Sequence, residues 1–319
     1  MPATKNKSTK ARLAKKWTRM DKSDLQQAIV NDCSPRYPEN EPPKPVQVNA
    51  VVNLVEGRHT FVMAGTGCGK SWISEMYYNL FAKSKKAVIL VLNPLDALGN
   101  NQVLEKTAAG YTAVNLKNQN FTHEVAADIQ KGKYNFVYLS PEVFLNNEMF
   151  TEIYHDLAFQ DRLALIVIDE AHMIYSWGLV ANKEAKKLSA HKRHQDRAVF
   201  RPSYGELGRQ IMATESTPVL FLSATCRPIA VTEILKSLKI PDNNIAFSRA
   251  ELTWPELRIL RFPMEFSLKS AKDLLDMFPG KDEVKNEDMV PTLIYSGTRK
   301  ATLQVMKTAN EAHDTAGKE

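Results

Sequence analysis

The stretch from Thr60 to Ser71, TFVMAGTGCGKS, has the residue types and spacing of a phosphate-binding loop. A short apolar run leads into small residues, and Lys70 and Ser71 follow; the small residues are Gly65, Thr66, Gly67, Cys68 and Gly69. Small residues let backbone N–H groups turn inward around a phosphate chain, and the next helix adds positive partial charge at its start. We expect Lys70 to reach the outer phosphates and the Ser71 hydroxyl to hold Mg²⁺. Ala64 replaces the first glycine of the usual pattern, and it is small enough to do so.

Two adjacent acids end a second apolar run, LALIVID, in the order Asp169-Glu170-Ala171-His172. Carboxylates at the end of a buried strand are costly unless a cation uses them. We therefore expect Asp169 to bind Mg²⁺ together with Ser71, and Glu170 to activate the attacking water. An acidic start to an ordinary helix is the alternative. No second His or Cys stands near His172 at ligand spacing, so this residue is expected to couple nucleotide and nucleic-acid sites.

Two further signals are weaker by themselves. Gln47 lies on an apolar-periodic segment upstream of the phosphate loop, where its amide could contact N6 and N7 of adenine and so select ATP. A single helical glutamine is otherwise a surface residue. Ser223-Ala224-Thr225 follows the apolar run Val219–Leu222, and its hydroxyl groups could bridge two parts of the site.

Short apolar strands alternate with helical segments around these motifs. The pattern predicts strands at Thr60–Met63, Ala87–Leu92, Leu163–Asp169 and Val219–Thr225, and a helix at Glu142–Leu157. Such alternation is typical of an α/β fold with a parallel sheet covered by helices on both faces. Ligands of these sheets gather at the carboxyl ends of the strands, which is where each motif falls.

Composition narrows the class of protein and its surroundings. The 319 residues carry a formal charge of +6, which favours a polyanionic partner. Three cysteines stand far apart, with no metal spacing, and indicate a reducing compartment. No apolar run is long enough to span a bilayer, so no membrane association is expected. Residues 1–20 hold seven Lys/Arg and no acid, and are expected to be disordered, either as a nuclear-import or nucleic-acid-binding arm or as a solvated tail.

Taken in order, Gln47, AGTGCGKS, NPL, SPE, DEAH and SAT resemble the motifs of superfamily 2 helicases. The segments MIYSWG, at residues 173–178, and FRPSY, at 200–204, resemble the two ends of the aromatic-rich loop of RecQ-like DNA helicases. This resemblance implies a P-loop NTPase of RecA-like fold that uses Mg²⁺ and ATP to move 3′ to 5′ on DNA in repair or recombination, in the nucleus. It also implies that Trp177, Phe200 and Arg201 contact single-stranded DNA or couple it to hydrolysis. A packed core tryptophan is the alternative for Trp177.

The sequence departs from the RecQ pattern in three places. Residues 179–199 form a basic insertion between WG and FRP, which either touches a DNA backbone or is a solvated loop. Pro43 and Lys44 stand where the family has an aromatic residue and an arginine. After residue 250 only the opening of a second RecA-like domain is expected, with a strand at Leu257–Phe262, another at Pro291–Gly297 and a helix from Thr298.

We therefore expect a tail and linker at residues 1–39, a RecA-like ATP-binding domain at 40–245 and an incomplete second domain at 250–319. The main interpretation is a helicase that acts on single-stranded DNA and 3′-tailed duplexes. One alternative is a nucleotide- and nucleic-acid-binding fragment that does not unwind DNA. Another is a P-loop ATPase that remodels protein or chromatin. The oligomeric state is left open.

Overall fold

The computed structural model describes residues 11–38, 41–175, 207–211, 214, 217–252, 257–278 and 284–312. The chain divides into two compact units, residues 1–254 and 255–319. Among the described helices, none has the length and apolar character needed to cross a membrane. The predicted DNA-coupling residues Trp177, Phe200 and Arg201, the insertion 179–199 and the first ten residues lie outside the described parts.

The described residues of the first unit form one seven-stranded sheet in the order β3-β4-β2-β5-β6-β1-β7, and every neighbouring pair is parallel. The strands are β1 His59–Met63, β2 Val88–Leu92, β3 Ala113–Leu116, β4 Phe136–Leu139, β5 Leu163–Ile168, β6 Val219–Ser223 and β7 Ile245–Arg249. The predicted α/β fold is thus confirmed. β7 was not predicted, and it extends the domain past residue 245.

The described residues also form twelve α-helices, eleven in the first unit and one in the second. They are α1 Lys15–Thr18, α2 Lys22–Cys33, α3 Pro45–Val55, α4 Trp72–Tyr78, α5 Asp96–Ala108, α6 His123–Gln130, α7 Pro141–Asn146, α8 Glu148–His155, α9 Leu157–Arg162, α10 Leu207–Ile211, α11 Pro228–Ser237 and α12 Arg299–Ala312. The single helix predicted over Glu142–Leu157 is wrong, because Asn147 and Asp156 each cap a new helix there. Their side chains accept hydrogen bonds from the backbone N–H groups of Phe150 and Phe159, at 3.0 and 2.8 Å.

The core lies on both faces of the sheet because successive strand residues point to opposite sides. Leu90 of β2 belongs to the cluster on one face, with helices α6, α8, α9 and α11. Ile89 and Val91 belong to the cluster on the other face, with α2, α3 and α4. β5 is buried along its whole length, as its unbroken apolar sequence predicts.

The expectation of disorder at residues 1–20 is wrong for residues 11–20, and most of residues 21–38, expected as tail and linker, is helical. Trp17, Leu25, Ile29 and Cys33 are buried in the cluster around α3 and α4. Asp21 caps α2 by accepting a hydrogen bond from the N–H of Asp24 at 2.8 Å. These residues therefore belong to the first unit rather than to a tail.

The second unit contains α12 but, within residues 257–278 and 284–312, no β-strand. The strands predicted at Leu257–Phe262 and Pro291–Gly297 are therefore not found, whereas the helix expected from Thr298 is confirmed. α12 packs on a 3₁₀ segment, Lys272–Met277, and the Gln304 amide donates to the Ser270 carbonyl at 3.1 Å.

Candidate active site

The predicted phosphate loop connects the carboxyl end of β1 to the start of α4. Two of its glycines, Gly67 and Gly69, adopt left-handed backbone conformations with φ of 77° and 76°, which favour residues without a side chain. A Cβ atom on Gly69 would lie 2.6 Å from the Gln47 amide nitrogen, so the loop could not accept even alanine there without moving its neighbour. The loop geometry therefore favours glycine at both positions.

Lys70 lies inside its own loop. Its ammonium donates hydrogen bonds to the carbonyl oxygens of Ala64 and Gly65 at 2.9 and 3.0 Å. The charge is thus held within the loop beside backbone oxygens. Phosphate oxygens are stronger acceptors for an ammonium group than neutral carbonyls, so a bound phosphate would compete for these bonds.

The side chain of Gln47, on α3, forms hydrogen bonds with the phosphate loop and with the residue that precedes its own helix. Its side-chain oxygen accepts from the Lys44 N–H at 2.7 Å, and its amide nitrogen donates to the carbonyls of Gly69 at 2.9 Å and Cys68 at 3.4 Å. The reverse amide orientation would place oxygen against two carbonyls, so the partners fix the assignment. The residue is 2% exposed. Its predicted contact with adenine stays a prediction.

Asp169 follows β5, next to the carboxyl end of β2, and its N–H donates to the Leu92 carbonyl at 3.0 Å. Burial, and secondly the nearby Glu170 charge, raise the pKa of the Asp169 carboxyl. Asp169 and Ser71 line the same small cavity. A buried carboxylate and a hydroxyl fit Mg²⁺, which takes few protein oxygens and fills its remaining positions with phosphate and water.

Glu170 has a left-handed backbone conformation, with φ of 49°. Its carboxylate lies 3.2 Å from Nδ1 of His172, and this contact is the largest cause that lowers the pKa of Glu170. The ionised form is therefore favoured, as a proton acceptor requires.

His172 also joins the second motif to the third. Its Nδ1 lies 3.1 Å from Oγ of Ser223, which accepts from the N–H of Thr225 at 3.3 Å. The backbone adds a link, since the N–H of Ala171 donates to the Leu222 carbonyl at 2.8 Å. The structure thus brings the DEAH and SAT segments together, as their positions after β5 and β6 predicted.

The site also contains two polar residues, Asn93 and Gln102, whose hydrogen bond to each other the sequence did not predict. The Gln102 amide donates to Asp169 at 3.4 Å and accepts from Asn93 at 3.2 Å. The motif NPL marked Asn93, but only the position of α5 beside β2 and β5 brings Gln102 to the metal-binding acid. This contact also lowers the pKa of Asp169, against the larger effect of burial.

The parallel sheet, with its phosphate loop after β1 and its paired acids after β5, defines a RecA-like P-loop domain. Residues 44–234 match the family model described as DEAD/DEAH box helicase, and the chain belongs to this family.

Similar proteins include several DNA helicases. The chain is 28% identical over 269 residues to the mouse bifunctional 3′-5′ exonuclease/ATP-dependent helicase WRN, which covers 82% of this chain and 17% of that protein. It is 27% identical over 238 residues to the Haemophilus influenzae ATP-dependent DNA helicase RecQ, which covers 70% of this chain and 33% of that protein. The chain thus spans a third or less of these two relatives. A crystal structure of the DUF1998 helicase MrfA matches with a TM-score of 0.56 and 15% identity, over 94% of this chain and 43% of that one.

Proposed function

We propose that this chain is the nucleotide-binding part of an ATP-dependent 3′-5′ DNA helicase of RecQ type. The observation that carries the proposal is the meeting of the phosphate loop with Asp169 and Glu170 at the carboxyl ends of β1 and β5. Ser71 and Asp169 line one cavity there, and the Lys70 ammonium lies inside the loop that leads to it. This arrangement suits the binding and hydrolysis of a nucleoside triphosphate.

Each residue has a proposed role. The backbone N–H groups of residues 65–69 and the Lys70 ammonium bind the phosphates. Ser71 and Asp169 would hold Mg²⁺, which would supply positive charge to the phosphate oxygens. Glu170 accepts a proton from the attacking water, and His172 keeps its carboxylate ionised. Gln47 holds the loop in shape and, by the sequence prediction, faces the adenine.

Single-stranded DNA and 3′-tailed duplexes are the proposed partners. Support comes from the WG and FRPSY segments, with Trp177, Phe200 and Arg201, and from the DNA helicases among the similar proteins. A role in DNA repair or recombination follows the same resemblance. The nuclear location stays a prediction, because the similar proteins include bacterial ones.

A second candidate is binding of nucleotide and nucleic acid without unwinding. The observation that favours this candidate is that the described residues of the second unit form no β-strand. Under either candidate we propose an ATP-binding first domain, here residues 11–252, and a second region from residue 257 onward.

Titration calorimetry with ATP and Mg²⁺ tests the nucleotide site. We expect binding by the native chain and its loss in Lys70→Ala, with Lys236→Ala, an exposed lysine of α11, as the matched control. Equal affinity in both variants would contradict the proposal. A strand-displacement assay on a 3′-tailed duplex then separates the helicase from the non-unwinding candidate.

A further inference from the structure

The amino ends of three adjacent strands, β4, β2 and β5, each follow basic residues. Lys83, Lys85 and Lys86 precede β2, and Lys131 and Lys133 precede β4. These five lysines form what we call the basic edge. All five are exposed. Because the motifs of the nucleotide site follow the carboxyl ends of the strands, the basic edge lies at the opposite end of the sheet.

Direct contacts hold the turns of the basic edge together. The Lys86 ammonium donates to the Lys131 carbonyl at 3.1 Å. Between the lysines, Gly132 is so closely packed that a Cβ atom would lie 3.1 Å from Cδ of Lys86 and 2.2 Å from the Arg162 guanidinium. That guanidinium donates to the Gln130 carbonyl at 2.7 Å and to the Ala158 carbonyl at 3.0 Å. These contacts join the two turns, so the lysines of the basic edge do not lie on independent loops.

The amino-terminal segment extends the positive surface. The Ala11 N–H donates to the carbonyl of Asp161. Asp161 is the neighbour of Arg162, the last residue before β5. Arg12, Lys15 and Lys16 are exposed in the segment that follows, and Trp17 anchors it in the core. Burial of Trp17 therefore anchors the backbone segment that carries these three charged residues.

Little of this charge is compensated locally. Lys133 pairs with Asp128 at 2.6 Å. In the described parts of the chain, Lys83, Lys85, Lys86 and Lys131 form no ion pair with a carboxylate. A solvated surface commonly interleaves charges of both signs, whereas here lysines from two turns stand together with one acid partner.

We propose that the basic edge, with Arg12, Lys15 and Lys16, binds the phosphate backbone of a nucleic acid. The inference deepens the proposed function, on which it rests, by adding a second contact surface away from the carboxyl ends of the strands. Lysine and arginine contacts to phosphates are independent of base sequence, and each releases condensed counterions, so the binding depends steeply on salt. A DNA segment other than the one that Trp177, Phe200 and Arg201 are predicted to contact would be held here.

The test compares two doubly substituted chains that change charge equally. The first is Lys85→Glu/Lys131→Glu, which reverses one lysine in each turn of the basic edge. The control is Lys22→Glu/Lys236→Glu, two exposed lysines of the same unit on α2 and α11. Affinity for a fluorescent single-stranded oligonucleotide is measured from 50 to 300 mM salt, together with Mg²⁺-ATP affinity.

We expect the basic-edge variant to bind DNA about 10-fold more weakly and to reduce the salt slope by about 1.4, since each lost phosphate contact contributes about 0.7. The control should keep both values, and all chains should bind ATP equally. Equal DNA affinity in the two variants would overturn the inference while leaving the proposed function intact. A native chain that binds no DNA at any salt would instead contradict the proposed function itself.

Discussion

The side-chain nitrogen of Gln47 donates to the carbonyl oxygen of Gly69 at 2.9 Å, across 22 residues of sequence. With the bond to Cys68, both amide hydrogens of Gln47 are used by the phosphate loop. To face N7 of adenine, the amide would have to release one of these half-buried carbonyls. The residue that the sequence marks as a base contact is therefore also a support for the loop.

Replacing Gln47 tests this support. Gln47→Ala leaves the Gly69 and Cys68 carbonyls without their partner, and we expect weaker binding of ATP and of inorganic tripolyphosphate by about 10-fold each, since an unpaired buried polar group costs about 1–3 kcal/mol. Asn49→Ala, at an exposed position of the same helix, is the control. Competition titrations with the two ligands provide the measurement. Normal tripolyphosphate affinity with a specific loss for ATP would show that Gln47 acts on the base alone.

Glu170 is expected to act in turnover rather than in binding. Glu170→Gln keeps the shape of the side chain and removes the proton acceptor, so ATP affinity should stay within about 2-fold while hydrolysis falls by about 10²–10⁴. Phosphate release, measured in a preparation of the native protein that hydrolyses ATP, decides this. Glu148→Gln, an exposed acid of α8, should be unchanged. Undiminished hydrolysis by the Glu170 variant would rule out the proposed role.

His59 makes the stability of the sheet depend on pH. It is 8% exposed, its Nδ1 accepts from the Val219 N–H at 3.1 Å, and burial lowers its pKa. The folded state therefore disfavours the protonated form, so stability is complete above the unfolded pKa of about 6.5 and falls as the pH drops below it.

The matching variant is His59→Asn, which keeps an acceptor and does not titrate. We expect thermal unfolding of the native chain to occur at lower temperature at pH 5 than at pH 7, and the variant to lose part of this difference. Identical pH profiles in the two proteins would assign the acid sensitivity to other groups.

Lys106 and Glu75 form a buried ion pair between α5 and α4. Lys106 is 2% exposed, and its ammonium contacts the Glu75 carboxylate. The same ammonium lies 5.3 Å from the centre of the Phe136 ring. Lys106→Met leaves the Glu75 charge without this partner and should lower the free energy of unfolding by about 3 kcal/mol. Lys106→Met/Glu75→Leu should cost less than the single change. Urea denaturation of the double-mutant cycle measures this, and strictly additive losses would show that the two side chains are not coupled.

Local patterns predicted most of the first domain because each pattern has one dominant physical cause. The unbroken apolar run of β5 is buried on both sides of the sheet, and the glycines at 67 and 69 occupy conformations that favour glycine. The helix over Glu142–Leu157 failed because apolar spacing continues through Asn147 and Asp156, whose capping bonds the periodicity does not reveal. Charge likewise misled at residues 11–20, where apolar residues such as Trp17 decide the packing.

The contacts within the site were less accessible to sequence. The motifs predicted that Asp169 and Ser71 share a ligand, but the contact of Gln102 with Asp169 depends on how α5 crosses the sheet. The bond from His172 to Ser223 joins residues 51 positions apart, and no local pattern specifies it. Tertiary placement, rather than residue type, determines these pairs.

β1, the strand that leads into the phosphate loop, has only β6 and β7 as its neighbours in the sheet. Those partners are encoded about 160–185 residues later, from Val219 to Arg249. A ribosome adds about 5–20 residues per second, so β1 waits about 10–40 s after its own synthesis before it can pair. The strands β2 to β5 can meet earlier, whereas the nucleotide site forms last. If the chain binds ATP as proposed, nascent chains gain stabilisation from it only when the first unit is almost complete.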